Sequence, residues 1–198
     1  MNKKKEHVEL PPEAMDVLGT FRNESDRGVI LMGAALLEEM LADLIASRCT
    51  SRKAAHALLG DYKAPIGAFS EKIVLAHAFG LLSDLERSHL DWIRELRNDA
   101  AHFEKKQGRG FRVCFDAVST QDKLKAFTIV IDGLRRNESD PALVARHTFV
   151  GCVLEMILRL GGRAKVPTNA KPLPDPGNTL SVIFDKFGEH SAQGVDND

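Results

Sequence analysis

The chain has 198 residues, 43% of them apolar and 28% charged, a balance that supports one globular domain with a real core and room for a tail. Its 27 Lys and Arg against 28 Asp and Glu leave a formal net charge of −1, which excludes the broad basic surface of a protein that wraps nucleic acid. The three cysteines, Cys49, Cys114 and Cys152, are widely spaced with no CxxC pair, so reduced and mostly buried thiols are expected, with no metal and no cofactor.

Residues 1–12 are charged, end in Pro11-Pro12 and read as a flexible lead-in, followed by a short helix from Glu13 to Arg22. The basic start, Met1 to Lys5, has no apolar run behind it, and no apolar stretch reads as long enough to cross a bilayer. A cytoplasmic protein without membrane contact is therefore expected. Over residues 26–48, Ile30, Ala34, Leu37, Leu41, Leu44 and Ile45 recur at spacings of three and four, which predicts an amphipathic helix with Asp26 as N-cap. Glu38, Glu39 and Asp43 fall elsewhere on that cylinder, as a charged face.

A shorter helix is predicted from Ser51, its cap, to Leu59, with Gly60 ending it in a left-handed conformation. After an Asp61–Gly67 loop, a third helix starts near Phe69 and stops at Gly80; His77 within it reads as a satisfied core or boundary histidine. Ser83 with Glu86 three residues on forms a capping box that opens the clearest amphipathic segment. Its stripe is Leu82, Leu85, His89, Trp92, Ile93, Leu96, Ala100 and Phe103.

Residues 104–110 break that helix, and the loose alternation from Phe111 to Phe115 allows a short extended piece. A further helix is predicted from Ser119 to Arg136, and a last one opens at Pro141 and ends at Gly161-Gly162. Four prolines between Pro167 and Pro176 and a polar end mark an extended tail. The organisation expected is thus a lead-in over 1–12, an all-α bundle of about six helices over 13–162, and a Pro-rich tail over 163–198.

Phosphate loops, HExxH and GxSxG are absent from the sequence. The segment that does carry chemistry is Arg97-Asn98-Asp99-Ala100-Ala101-His102. An arginine can hold a phosphate at two points and stabilise charge developing on it, and a histidine can move a proton near neutral pH. Asn98 and His102, four apart, share a helix face, whereas Arg97 and His102 lie about 140° apart on a regular helix. The two could act together only across a dimer or on a locally unwound helix. Otherwise Arg97 is a surface charge and His102 finishes the helix C-terminus, where a cation is favoured.

Arg–x4–His with Asn after the arginine resembles the signature of HEPN-type domains, small helical bundles many of which are metal-independent ribonucleases. That resemblance implies a site of Arg97, Asn98 and His102, often assembled at a dimer interface. A wider pattern resembles the mannitol operon repressor family. It comprises Pro65-Ile66-Gly67-Ala68-Phe69-Ser70-Glu71-Lys72-Ile73, Leu75-Ala76-His77-Ala78-Phe79-Gly80-Leu81-Leu82-Ser83, Ile93-Arg94-Glu95-Leu96-Arg97-Asn98-Asp99-Ala100-Ala101-His102 and Phe115-Asp116, in order across residues 25–120. The chain departs from that family at Lys72, where arginine is usual, and at Asp99-Ala100.

This second resemblance implies a self-associating helical regulator, a homodimer, that lacks a helix-turn-helix and acts through a protein partner, itself another regulator. Arg94, Arg97, Asn98 and His102 are its expected binding residues. Two readings compete with this non-enzymatic module: the HEPN-like ribonuclease, and a direct DNA-binding repressor, against which the lack of a basic helix argues.

Overall fold

The computed structural model describes residues 12–60, 64–101, 115, 120, 121, 124 and 140–164. These residues form an all-α bundle of six helices: α1 (Pro12–Arg22), α2 (Asp26–Ala46), α3 (Arg52–Leu59), α4 (Phe69–Ala78), α5 (Asp84–Ala101) and α6 (Pro141–Ala164). The lead-in 1–11, Cys114, most of the helix expected from Ser119 and the tail from Lys165 onward lie outside the described residues. Of the extended piece expected before Phe115, Phe115 alone is described, in a turn.

Local chemistry sets the helix ends, with two departures from expectation. The N-cap of α2 is Ser25, not Asp26: its hydroxyl accepts from the Gly28 N–H at 3.1 Å. Asp26 stands one residue inside, so its carboxylate is released for tertiary contacts, accepting from the Phe115 N–H at 3.0 Å and from Arg146 on α6. Gly60 ends α3 at φ −83°, right-handed rather than left-handed. The residue must be small for another reason: a Cβ there would lie 2.6 Å from the His56 carbonyl oxygen. Gly80, by contrast, takes φ +68° and turns the chain from α4 towards α5. Ser51 caps α3 through the Ala54 N–H, and Asp140 caps α6 through the Ala142 N–H, with Pro141 at the first helical position.

Helices α2 and α6 form the spine. Asp26 at the start of α2 meets Arg146 near the start of α6, while at the other end Arg48 donates to the Arg163 carbonyl at 3.0 Å, so the two run in the same direction. Between these ends Gly33 lets the helices close, because Val153 and Phe149 occupy the space its side chain would need. Phe115 packs on Phe149 with ring centroids 5.8 Å apart. Helices α4 and α5 form an antiparallel pair that covers α2, and α1 covers α6.

The last helix corrects two expectations. It extends past Gly161-Gly162 to Ala164, because Arg163 in its final turn is held by buried partners. At 24 residues α6 is also long and apolar enough to cross a membrane by length and composition, contrary to the expectation that no stretch is. In the bundle it is the core helix, buried from Thr148 through Ile157 without a break.

The apolar stripe of α2 is buried as expected: Ile30, Ala34, Leu37, Leu41, Leu44 and Ile45 are all in the core. On α5 the stripe holds at His89, Ile93, Leu96 and Ala100, but Trp92 is half-buried and Leu85 is exposed.

Gly33→Val should destabilise the protein by about 1–3 kcal/mol, since a Cβ already meets Val153 Cγ2 at 3.1 Å and Phe149 Cε1 at 3.2 Å. Gly19→Ala, in an α1 position with nothing within 4 Å, should stabilise by roughly 0.5–1 kcal/mol. Urea unfolding of both variants checks the pair.

Candidate functional site

Arg97 and Asn98 occupy the penultimate turn of α5, on the side approached by α2. Arg97 Nη1 donates to Asn98 Oδ1 at 3.4 Å, and its Nη2 lies 4.0 Å from Glu38 Oε2. The other oxygen of Glu38 accepts from Lys72 Nζ, on α4, at 2.7 Å. Glu38 therefore stands between two cations from two other helices. It was expected on the charged face with Glu39 and Asp43, and those two are exposed; Glu38 departs because Lys72 is buried beside it at 8% exposure and needs an anion.

The contacts differ in strength. The short Glu38–Lys72 pair is largely shielded, with side-chain exposures of 22% and 10%. Arg97 is 43% exposed and touches its partners only at long range, so its guanidinium is lightly held at the surface. Arg94 does not join it: its Nε is 3.5 Å from Asp91 Oδ1, one turn back on α5. Of the four expected binding residues the structure thus brings Arg97 and Asn98 together, assigns Arg94 to Asp91, and leaves His102 outside the described residues. Among the described members, Arg97 carries the most exposed guanidinium. No group of three or more metal-ligating side chains is present among the described residues.

A second cluster is fully interior. Glu86, 2% exposed, accepts from the Ser83 N–H at 2.7 Å and the Ser83 hydroxyl at 2.9 Å, while its own N–H donates to Ser83 Oγ at 3.3 Å. This is the expected capping box. The same carboxylate receives Arg163 in a two-point contact at 2.7 and 2.9 Å, and Arg159 Nη1 at 3.1 Å. Arg159 Nε in turn reaches Glu155 at 3.0 Å, and Arg163 also donates to the Leu81 carbonyl. Sequence reading missed this network. Its available signal was Glu155, Arg159 and Arg163 at four-residue intervals inside the apolar second half of the helix, where ionised groups need partners.

Burial alone would raise the Glu86 carboxyl, but the hydrogen bonds and charge of Arg163 and the Ser83 N–H outweigh it and hold the group below its ordinary 4.5. Burial pushes the Cys152 thiol well up, with Glu155 adding to the effect, so this cysteine is an inert core residue as expected; Cys49 is also a free thiol. His77 is the satisfied boundary histidine anticipated above: Nε2 meets Asp84 Oδ1 at 2.8 Å and Nδ1 lies 3.3 Å from Arg87 Nη1.

No protein family, curated protein or solved structure matches this chain in comparisons with each.

Two outcomes follow for stability. Because the Glu86 carboxyl is lowered in the fold, its contribution is complete above the unfolded value near 4.5 and is lost as pH falls through the lower folded value. Acid unfolding monitored by circular dichroism should accordingly show a loss of stability below that pH in the wild type that is much reduced in Glu86→Gln. Separately, Glu38→Ala, which strands Lys72, should cost about 1–3 kcal/mol, whereas Arg97→Ala should change stability by less than roughly 0.5 kcal/mol. Chemical denaturation of the two variants measures the contrast.

Proposed function

We propose that this chain is a non-enzymatic regulatory module that acts on another regulator by protein–protein contact in the cytoplasm. The observation that carries the reading is the charge arrangement on the Arg97 side of α5. Arg97 lies 4.0 Å from Glu38, which also pairs with Lys72, and Arg94 lies 3.5 Å from Asp91, so each arginine expected to bind has a carboxylate of its own chain nearby at long range. Together with a net charge of −1, these carboxylates weaken the positive field on which phosphate-backbone binding depends. The resemblance of residues 25–120 to the mannitol operon repressor family supports the same reading, and no sugar recognition is carried over with it.

The HEPN-like ribonuclease is the competing reading. One observation favours it: Arg97 is exposed, lightly held and joined to Asn98, as a group that engages a phosphate from solution would be. Its chemistry would use Arg97 to stabilise charge on phosphorus and His102 to move a proton.

Incubation of the full chain with mixed RNA in EDTA, beside Arg97→Ala/His102→Ala, separates the two. The regulatory reading expects no cleavage by either protein and no DNA affinity with a steep salt dependence. Cleavage by the wild type that is absent in the double variant would overturn it in favour of the nuclease.

A further inference from the structure

On α5 the residues Asp84, Arg87, Asp91 and Arg94 recur at spacings of three and four and so lie along one stripe, turned away from the buried stripe of Leu90, Ile93 and Leu96. Their signs alternate from one position to the next. Their side chains are 98%, 43%, 36% and 28% exposed. Within the chain the Arg87–Asp91 and Arg94–Asp91 distances are 3.8 and 3.5 Å, longer than hydrogen bonds, so these charges are only loosely engaged by their own helix.

An alternating stripe is complementary to itself when reversed. A two-fold axis that sets two such helices antiparallel makes the same patch serve both copies. With the axis at the level of residue 89, Arg87 faces Asp91 of the second copy and Asp84 faces Arg94, and symmetry repeats each pair. The alternative register, with the axis between Asp91 and Arg94, pairs those two residues and leaves Asp84 and Arg87 without opposite charges across the axis. The first register engages every charge of the stripe. Apolar surface adjoins it: Val74 on α4 is 54% exposed and lies one turn before His77, whose ring contacts Asp84 and Arg87. Apolar contacts beside arginine-rich polar ones are the usual make-up of a specific interface.

We propose that two copies of this chain associate through an antiparallel α5–α5 pairing in which Arg87 of each copy meets Asp91 of the other, with Val74 against the same partner. The pairing does not depend on the regulatory reading above. It also keeps the two Arg97 clusters apart: Arg97 is eight residues from the axis, which separates the two along the helix direction by about 24 Å. The pairing therefore does not merge them into one composite site.

Charge reversal tests it. The wild-type full chain should sediment as a dimer at the upper end of a micromolar concentration series. Arg87→Asp and Asp91→Arg should each weaken self-association by at least about tenfold, because like charges then face each other twice across the axis. An equimolar mixture of those two variants should recover the dimer, since every cross-pair is opposite in sign again, and the double variant should recover it alone. Should either single variant lose its helical signal, Asp84→Lys and Arg94→Glu probe the outer pairs in the same scheme. A wild type that stays monomeric throughout, a dimer indifferent to the single reversals, or a mixture that fails to recover would each overturn the proposal. RNA cleavage and DNA affinity play no part in the readout, so failure here leaves the functional reading standing.

Discussion

Two arginines buried in the last turns of α6 are tolerable only with anions at hand, and the carboxylate of Glu86 is the point on which both converge. The same group caps α5, so a single side chain fixes where α5 begins and where α6 ends. Such a network is not a large source of net stability, because the desolvation of four ionised groups offsets much of their attraction. What it supplies is register. Sliding α6 by one turn against α5 would bury unpaired guanidinium groups, so competing arrangements of these apolar helices are disfavoured.

The other end of the spine is tied by similar chemistry. Arg146 donates to the carbonyls of Phe21 and Glu24 and to Asp26, so it satisfies the end of α1, the turn and the start of α2 together. Between the two ionic ends the closeness of α2 and α6 is set by Gly33. The helices are thus aligned by polar contacts at their ends and brought together by the absence of a side chain in the middle.

Much of the fold was legible because it depends on local pattern. The spacing of Ile30, Leu37, Leu41 and Leu44 marks a helix by itself, and the Ser83/Glu86 and Asp140/Pro141 signals lie within a few residues of the ends they set. Where reading failed, the determinant was distant. Asp26 looks like a cap, but its carboxylate is drawn off by Arg146, 120 residues later, leaving Ser25 to cap. Gly161-Gly162 looks like a stop, but Arg163 is anchored to Glu86, 77 residues earlier. The candidate site was legible in part for the same reason. Arg97 and Asn98 are neighbours in sequence, whereas the pairing of Glu38 with Lys72 spans 34 residues and leaves no periodic trace.

The placement of the spine within the chain bears on how the protein is made. Helix α2 presents its apolar side to α6, yet roughly a hundred residues separate the two in the order in which a ribosome releases them. Until Phe149 and Val153 emerge, Gly33 lacks the side chains that fill its hollow, and until Arg159 and Arg163 follow, Glu86 has no cation of the pair that later meets it. A nascent chain carrying α1 to α5 therefore holds helices with no completed core. Consolidation comes late in synthesis, and the exposed side of α2 is the stretch that a chaperone would have to shield during that interval.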